Sequence, residues 1–353
     1  MSAIPPVVPA SVAVQRGEGT GNAVSTPGGD ASATARQAAQ IAQGSADPLL
    51  AALHDALAAA APRQNGLAPL FAEVALLSAR ADVPPQVRAA AQALLALQLN
   101  ASAIAPETVA KALAQSGLYL EAKLAAGASP AGDLKAALLN LRSALNTWLG
   151  DAAPRATEQA APPPPYRGAP PAAQPVSIPQ AAAMTTPDAA QMVRAAVEAA
   201  LARHTMLQAA SLPEPAALAM RNGEPQQRLV FDIPLLTPQG TAVLQLQIER
   251  DAPRKGNGQD DNAAAPVWRL AFSVDVAPAG PVHARLAQIG TRTHVSLTAE
   301  RADSAQALRG NLGELKAMLT AAALEPGDLV CHVGQPAAAA ANAAPGLFLD
   351  RAT

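Results

Sequence analysis

The chain is poor in cysteine and in aromatic residues. Among its 353 residues Cys331 is the one cysteine, which excludes an intrachain disulfide. Only 2% of the residues are aromatic although 50% are apolar, so alanine supplies much of the apolar content and buries little area per residue. We therefore expect helices with small side chains rather than a large rigid core.

Charge and long apolar runs are also scarce. The formal net charge of −2 gives no basic surface for nucleic acid or an anionic membrane. No run reaches the ~20 apolar, uncharged residues that a membrane-spanning helix needs. The start lacks a basic region and is interrupted by Pro5, Pro6 and Pro9, which is not typical of a secretory signal. We expect a protein made in the cytoplasm that neither binds nucleic acid nor inserts into a membrane.

Changes in composition and period divide the chain into segments. Small polar residues without an apolar period are typical of disorder, proline-dense stretches are typical of linkers, and apolar residues three and four apart predict helices. In chain order, the predicted segments are a disordered segment at 1–46, an α-helical region at 47–151 that forms a bundle, a Pro/Ala-rich linker at 152–187, a helix with a connection at 188–225, a folded domain at 226–335 and a flexible tail at 336–353. Asp188 is the predicted N-cap of the helix that follows the linker.

The domain at 226–335 shows a strand period followed by a helical one. TAVLQLQIER, VWRLAFSVDV, GPVHARLAQIG and THVSLTAER alternate apolar and polar residues, which predicts strands with one solvated face. A mobile loop is expected between the first two, from Arg250 to Pro266. Leucines spaced three and four apart then predict one helix over about 303–325, before a last strand LVCHV. The predicted fold class is α+β, with a mostly antiparallel sheet and one packed helix.

No reactive motif accompanies this pattern. Gly256–Gly258 is followed by acidic residues instead of a phosphate-binding sequence, and Asp260–Asp261 lacks the ligand spacing of a calcium loop. Cys331 and His332 are adjacent on a predicted strand, so their side chains point to opposite faces. The sequence therefore predicts no catalytic, cofactor or metal site, with Cys331 in the core and the histidines His283, His294 and His332 on solvated faces.

The segment GPVHARLAQIGTRTHVSLTAERADSAQALRGNLGELKAMLTAAALEPGDLVCHVG resembles the carboxy-terminal domain of bacterial flagellar hook-length control proteins. The residues that carry the resemblance are Gly280, Val282, Val295, Leu297, Leu308, Leu312, Leu315, Leu324 and Gly327. SGLYLEAKLAAG at Ser116–Gly127 also looks like a segment from the amino-terminal half of such proteins. There, Glu121 and Lys123 leave a charged side that could meet a partner.

The resemblance implies a non-enzymatic protein that is exported by the flagellar type III apparatus and acts as a ruler. Its C-terminal domain would signal the export gate to change from hook to filament-type substrates. The implied partners are the cytoplasmic domain of the export gate and the hook and hook-cap subunits, and no cofactor is implied. The predicted contact residues are Gly280, Val282, Arg285, Leu286, Arg309 and Glu314, supported from beneath by Leu308, Leu312 and Leu315.

Two alternatives remain open from the sequence. The first is an intracellular scaffold or chaperone-like module, whose helical half holds a client while the C-terminal domain docks elsewhere. The second is an enzyme with a site assembled from scattered residues, which no sequence motif supports. Release of the protein into the medium separates the first alternative from an exported ruler.

Overall fold

A computed structural model describes residues 48, 50–150, 160–166, 168–212, 227–250 and 266–335. The chain divides into two units, 1–51 and 52–353, and the account below concerns the second. The fold class is confirmed as α+β, with helices in the N-terminal half and a mostly antiparallel sheet in the C-terminal part. The predicted disordered start and flexible tail, and nearly all of the predicted loop at 250–266, lie outside the described residues.

Helices dominate the described residues up to Ala210. In chain order the helices are α1 at 50–60, α2 at Leu67–Ser78, α3 at Pro85–Leu95, α4 at Pro106–Ala114, α5 at Leu120–Ala125, α6 at Leu134–Leu149, α7 at Thr186–Ala210, α8 at Ala302–Gly310 and α9 at Leu312–Ala321. The strands are β1 at Leu99–Asn100, β2 at Gln227–Thr237, β3 at Gly240–Arg250, β4 at Val267–Val276, β5 at Gly280–Ile289, β6 at Arg292–Ala299 and β7 at Glu325–Val333.

The seven strands form one sheet in chain order. Strands β2 to β6 are antiparallel neighbours, whereas β1 pairs with β2 and β7 pairs with β6 in parallel. Helices α8 and α9 form the crossover from β6 to β7. This register gives each face of the sheet a continuous row of side chains, because successive residues of a strand point to opposite sides.

The two faces differ in character. We call one the apolar face; its central row is Phe231, Leu246, Phe272, Ala284, Leu297 and Cys331. We call the other the polar face; its central row is Asp232, Gln245, Ser273, His283, Thr298 and His332. The predicted alternation of the strands is therefore confirmed, and Cys331 and His332 do lie on opposite faces.

Helices cover the two ends of the sheet unequally. On the polar face α2 and α7 pack against β2 and β3, and their apolar side chains form one core with those of α3 and α6. On the apolar face Val109, Leu113 and Leu118, from α4 and the turn that follows it, pack against the cluster around Phe231. Helices α8 and α9 pack over β6 and β7, where Cys331 Sγ lies 3.5 Å from the carbonyl oxygen of Ala305. Strands β2 and β3 are thus covered on both faces.

Strand β2 was not among the strands predicted from the sequence. Val230, Phe231, Asp232 and Ile233 are consecutive and all buried. A strand buried on both faces loses the polar and apolar alternation that marks a strand with one solvated face. Its pattern is therefore hard to distinguish from that of a buried helical segment.

The predicted helix over 303–325 consists of two short helices. Helix α8 ends at Gly310 and α9 begins at Leu312, with Asn311 between them. The leucine period continues across the break, so the periodic pattern did not reveal it. Leu308, Leu312 and Leu315 are half-buried, whereas Ala305 and Leu319 are buried. The stripe therefore faces the sheet, most deeply at its two ends.

Part of the predicted linker packs against the sheet. We call residues 168–176 the strap. Gln174 exchanges two backbone hydrogen bonds with Val243 of β3, at 3.1 and 2.8 Å. The backbone N–H of Ala172 donates to Gln245 and that of Ala173 to Ser273, at 2.9 and 3.2 Å. These bonds fix the strap beside β3 and the end of β4, while the predicted domain boundaries stay predictions.

The start of α7 differs from the sequence prediction. The N-cap is Thr185, whose Oγ1 accepts a hydrogen bond from the backbone N–H of Asp188 at 3.3 Å. Asp188 lies in the first turn, where its carboxylate accepts a hydrogen bond from the Thr185 hydroxyl at 2.9 Å. The predicted N-cap at Asp188 is therefore wrong. Threonine serves because its hydroxyl can satisfy an N–H of the first turn that has no partner within the helix.

Candidate protein-docking surface

The apolar face is only half-covered over β4 and β5. We define the β4–β5 stripe as the apolar-face side chains Trp268, Leu270, Phe272, Val274, Val282 and Leu286. Leu270 pairs with Leu286, and Val274 with Val282, so the side chains form one surface. Trp268 is 43% exposed and the other members are half-buried.

The position of the helices explains this exposure. Helices α8 and α9 lie over β6 and β7, and α4 with the turn after it lies over the β2 and β3 end. Val295 of β6 is accordingly buried, whereas Leu286, its cross-strand neighbour on β5, is only half-buried. An apolar patch of this kind, with two aromatic side chains, is typical of a protein-interaction surface.

Arg250 extends the stripe beyond Trp268. Its guanidinium lies 5.5 Å from the centre of the Trp268 ring, within the range of a cation–π contact. Tryptophan, phenylalanine and arginine are enriched among the residues that carry binding energy in interfaces. The stripe can therefore bind a partner through aromatic anchors beside a positive charge.

The structure does not bring all the predicted contact residues together. Val282 and Leu286 belong to the β4–β5 stripe, but Arg285 lies between them on the strand and therefore points to the polar face. Arg309 and Glu314 are exposed on α8 and α9, the helices that cover the apolar face. The predicted residues consequently divide between opposite sides of the sheet. Their role in binding a partner stays a prediction.

Two of the predicted contact residues, Gly280 and Arg309, stabilise the fold. Gly280 has φ +71°, and a Cβ atom there would lie 2.8 Å from Cδ of Arg301, so another residue would be strained and crowded. The adjacent Ala279 carbonyl accepts a hydrogen bond from Ser304 at 2.6 Å, which fixes the start of α8. Arg309 Nε donates to the carbonyl oxygen of Cys331 at 3.2 Å and joins α8 to β7.

The polar face carries a groove of about 490 Å³ across β2 to β7, walled on one side by the strap. Small residues lie along it, among them Ala271, Ala287 and Ser296. Its charged lining residues are Arg228, Glu249, Arg269, Arg285, His294 and Asp328. Arg228 forms an ion pair with Glu249, and His294 Nδ1 lies 3.2 Å from Asp328 Oδ2. The groove is therefore rich in guanidinium groups.

A second group of charges lies farther along the polar face. Burial raises the pKa of Asp275, the negative charge of Glu300 raises it further, and His283 opposes both effects. His283 Nε2 lies 3.5 Å from Glu300, and only 15% of the His283 side chain is exposed. The prediction that His283 is solvated is therefore wrong. In the described ranges no three His, Cys, Asp or Glu side chains converge where they could hold a metal ion.

The charged side chains of the SGLYLEAKL segment contact the chain itself. Lys123 Nζ lies 3.1 Å from Asp133, the N-cap of α6. Glu121 pairs with Lys135 of α6 and accepts a hydrogen bond from Gln208 of α7 at 3.0 Å. Glu121 and Lys123 thus join α5 to its neighbouring helices, an internal role that the sequence did not indicate.

Sequence reasoning missed Trp268 and Phe272 as candidate contact residues. Both were assigned to a strand, but their aromatic character was given no weight. The chain has only two tryptophans and four phenylalanines, so two such residues at alternate positions of one strand are a usable signal. The charged groove could not be found in this way, because its lining comes from several strands whose register the sequence does not give.

The half-exposed stripe makes the C-terminal region a candidate for protein binding. A family model described as flagellar hook-length control protein FliK matches residues 256–340. The match includes β4 to β7 with α8 and α9, so the C-terminal region is similar to a flagellar hook-length control domain. It confirms the resemblance and supports a role in hook-length control.

Other comparisons add no relative. Searches of the curated proteins and of the solved structures returned no match. In the part of the chain that the structure describes, no helix is both long enough and apolar enough to cross a membrane.

Proposed function

We propose that this chain is an exported ruler whose C-terminal domain switches type III export from hook to filament-type substrates, without enzymatic chemistry. The observation that carries the proposal is the position of the family match. The family match at residues 256–340 falls on the part of the sheet that bears the half-exposed β4–β5 stripe. A domain that signals by contact needs such a surface.

The proposed partner of the stripe is the cytoplasmic domain of the export gate. Trp268 and Phe272 would anchor the contact, since each aromatic side chain can bury about 150–250 Å². The domain can change the substrate preference of the gate only if it binds one of two gate states better than the other. A contact centred on this small stripe suits transient docking, because weak and transient interfaces bury less than about 1,200 Å² in total.

The proposed route places the protein first in the cytoplasm, then in the flagellar channel and finally in the medium. Hook and hook-cap subunits are the proposed partners along this route. The single cysteine supports this proposal, because the chain carries no intrachain disulfide that would resist unfolding. A ruler of this kind reports length only while its two ends are held apart, so the strap and helices would have to open during passage.

Hook length in the source bacterium tests the proposal. A strain that lacks the gene should form overlong hooks without filaments, and the wild-type gene should restore normal hooks and release protein into the medium. Trp268→Ala should still be released but should fail to terminate hook growth. Tyr166→Ala, which removes an exposed aromatic outside the C-terminal domain, is the matched control and should restore normal hooks.

Two outcomes would count against the proposal. Normal hooks in the deletion strain, with the protein retained in the cell, would support an intracellular scaffold instead. Normal switching by Trp268→Ala would show that the gate does not use the β4–β5 stripe. Electron micrographs of hooks and immunoblots of culture medium provide both measurements.

A further inference from the structure

Strand β7 is the last strand of the sheet, and its outer edge pairs with no strand among the residues that the structure describes. The N–H of Gly334 donates to the carbonyl oxygen of Ala299 on β6 at 2.9 Å. The peptide group between Val333 and Gly334 therefore directs its carbonyl oxygen to the outer edge. Because the backbone groups of successive residues point to opposite edges, Leu329, Cys331 and Val333 all direct their N–H and C=O groups outward.

The contact of Arg309 with β7 agrees with this direction. Arg309 Nε donates to the carbonyl oxygen of Cys331 at 3.2 Å, an oxygen that β6 would occupy if it pointed inward. A carbonyl oxygen has two lone pairs and can accept a second hydrogen bond. The outer edge thus presents a row of backbone donors and acceptors, which is a template for a further strand.

The side chains on the polar face of β7 form a pattern that complements itself when reversed. Val330 is 41% exposed and lies between Asp328, whose side chain is 87% exposed, and His332, which is also exposed. Asp328 contacts His294 through Oδ2, but a carboxylate can accept about four hydrogen bonds. An imidazole N–H donates to a carboxylate whether or not the ring is protonated.

An antiparallel second copy of β7 matches this pattern in one register. A two-fold axis at Val330 places this residue opposite its own copy, and Asp328 opposite His332 of the second copy, twice. These are non-hydrogen-bonded pairs, in which the side chains are closest. The outward backbone groups of Leu329 then meet those of Cys331 of the second copy. An axis at Leu329 or Cys331 would lose both pairs of Asp328 with His332.

The crossover helix nearest the axis leaves room for the second copy. Helix α8 contacts both β6 and β7. The same helix of the second copy would lie two strand intervals away, or about 9.6 Å at about 4.8 Å per interval. Packed helices lie about 8–10 Å apart. The two copies of α8 would therefore pack side by side beside the paired strands.

We propose that β7 joins two copies of this chain, paired antiparallel about Val330 into one continuous sheet. The contact includes backbone hydrogen bonds of Leu329 and Cys331, the apolar pair of Val330 side chains and the two pairs of Asp328 with His332. Strand β6 separates this edge from the β4–β5 stripe, so the dimer leaves the stripe uncovered. The proposal does not depend on the proposed function.

Disulfide trapping of the full-length chain tests the register. Val330→Cys with Cys331→Ser should form a covalent dimer on mild oxidation, because opposite Cα atoms about 4.5 Å apart are within disulfide range. Ile104→Cys with Cys331→Ser is the matched control, since Ile104 is 49% exposed and lies outside the sheet. It should give several times less covalent dimer on a non-reducing gel. Wild-type Cys331, opposite Leu329, should also remain largely uncrosslinked.

A charge exchange tests the polar pairs. His332→Asp places like charges opposite each other twice and should raise the dimer dissociation constant about tenfold. Addition of Asp328→His to that variant restores the pairs and should recover most of the affinity. His54→Asp makes the same substitution at an exposed position of α1 and should leave dimerisation unchanged. Sedimentation velocity over a range of concentrations measures these constants, and circular dichroism confirms that each variant is folded.

Four results would overturn the proposal. The first is a monomer at every concentration, without a Val330→Cys crosslink. The second is stronger crosslinking through wild-type Cys331, which would show a different register. The third is a double variant that stays as weak as His332→Asp. The fourth is a dimer that forms only after removal of residues 336–353, which would show that the chain's own C-terminal segment occupies the edge.

Discussion

The two ends of the sheet are built differently, although they belong to one continuous sheet. At the β2 and β3 end, Phe231 is 1% exposed, and Asp232 beside it accepts hydrogen bonds from Arg203, Gln174 and Gln245. Two strands away in the same apolar row, Phe272 is half-buried. We call the β2 and β3 end the covered end, because it is part of a core. We call the end from β4 onward the open end, because its faces are partly exposed to solvent.

The difference indicates where stability and binding are located. The covered end holds a buried charge pair, which requires several polar partners to be tolerated in a low-dielectric interior. The open end carries a half-exposed apolar stripe on one face and a charged groove on the other. The family match at 256–340 begins after β3 and covers the open end. The part of the molecule that matches the family is thus the part whose faces are only half-covered.

The largest effect is expected from Asp232→Ala. The carboxylate lies 2.7 Å from Arg203 Nε, and both side chains are 1% exposed. Removal of one partner leaves a buried guanidinium without its counter-charge, which costs roughly 3–5 kcal/mol. Urea denaturation of the full-length chain measures this loss in the free energy of unfolding.

An exposed ion pair at the other end provides the control for Asp232→Ala. Asp328→Ala removes a carboxylate that is 87% exposed beside His294, and a surface pair contributes less than about 1 kcal/mol. Equal destabilisation by the two substitutions would contradict the division between a covered and an open end.

A matched pair of phenylalanines measures the same division through packing. Phe231→Ala empties a buried site and should cost about 3–5 kcal/mol. Phe272→Ala removes a side chain that is already partly solvated, so we expect about 1–2 kcal/mol from the smaller buried area. The expected difference is roughly 2 kcal/mol, and urea denaturation at one pH compares the two directly. Equal losses would mean that the apolar face is covered as fully at β4 as at β2.

A pH-dependent loss of stability is expected from the covered end. His204 is 4% exposed, and its pKa is lowered from 6.5, mainly by burial and further by the positive charge of Lys135. The unfolded chain therefore takes up this proton before the folded chain does. The stability contribution is complete above pH 6.5 and is lost as the pH falls through the folded pKa.

Unfolding free energies at pH 7.5 and 5.5 test this linkage, with values of pH chosen on either side of the ordinary histidine pKa of about 6.5. The wild type should lose more stability between them than His204→Gln does. Phe272→Ala is the control, because it lowers the free energy of unfolding but leaves every titratable side chain in place, and it should keep the wild-type decline. An unchanged decline in His204→Gln would assign the pH dependence to other groups.

The sequence predicted those elements whose apolar residues recur with a clear period. The alternation in TAVLQLQIER and VWRLAFSVDV predicted β3 and β4, and the stripe of Leu138, Leu141 and Leu145 predicted α6, where all three are buried. Strand β2 was missed because burial on both faces removes that alternation. Local pattern thus predicted the open end of the sheet better than the covered end.

Contacts between distant parts of the chain were beyond local pattern. Gln174 of the strap bonds Asp232 and also the backbone of Ala68, which are 58 and 106 residues away in sequence. Likewise, the pairing of Arg269 and Arg285 around the groove depends on the register between β4 and β5. A proline-dense composition indicates an irregular segment but not the surface on which it lies.

The smallest change in stability is expected from Trp268→Ala, at the exposed end of the β4–β5 stripe. The side chain is 43% exposed, and its contact with Arg250 at 5.5 Å contributes about 0.5–1 kcal/mol at an exposed site. Urea denaturation should therefore show a loss near 1 kcal/mol or less, far below that of Phe231→Ala. If the same variant also fails to terminate hook growth, its defect lies in docking, because most of the protein remains folded. A loss comparable to that of Phe231→Ala would instead make Trp268 part of the core, and the failure to switch would then say nothing about a surface.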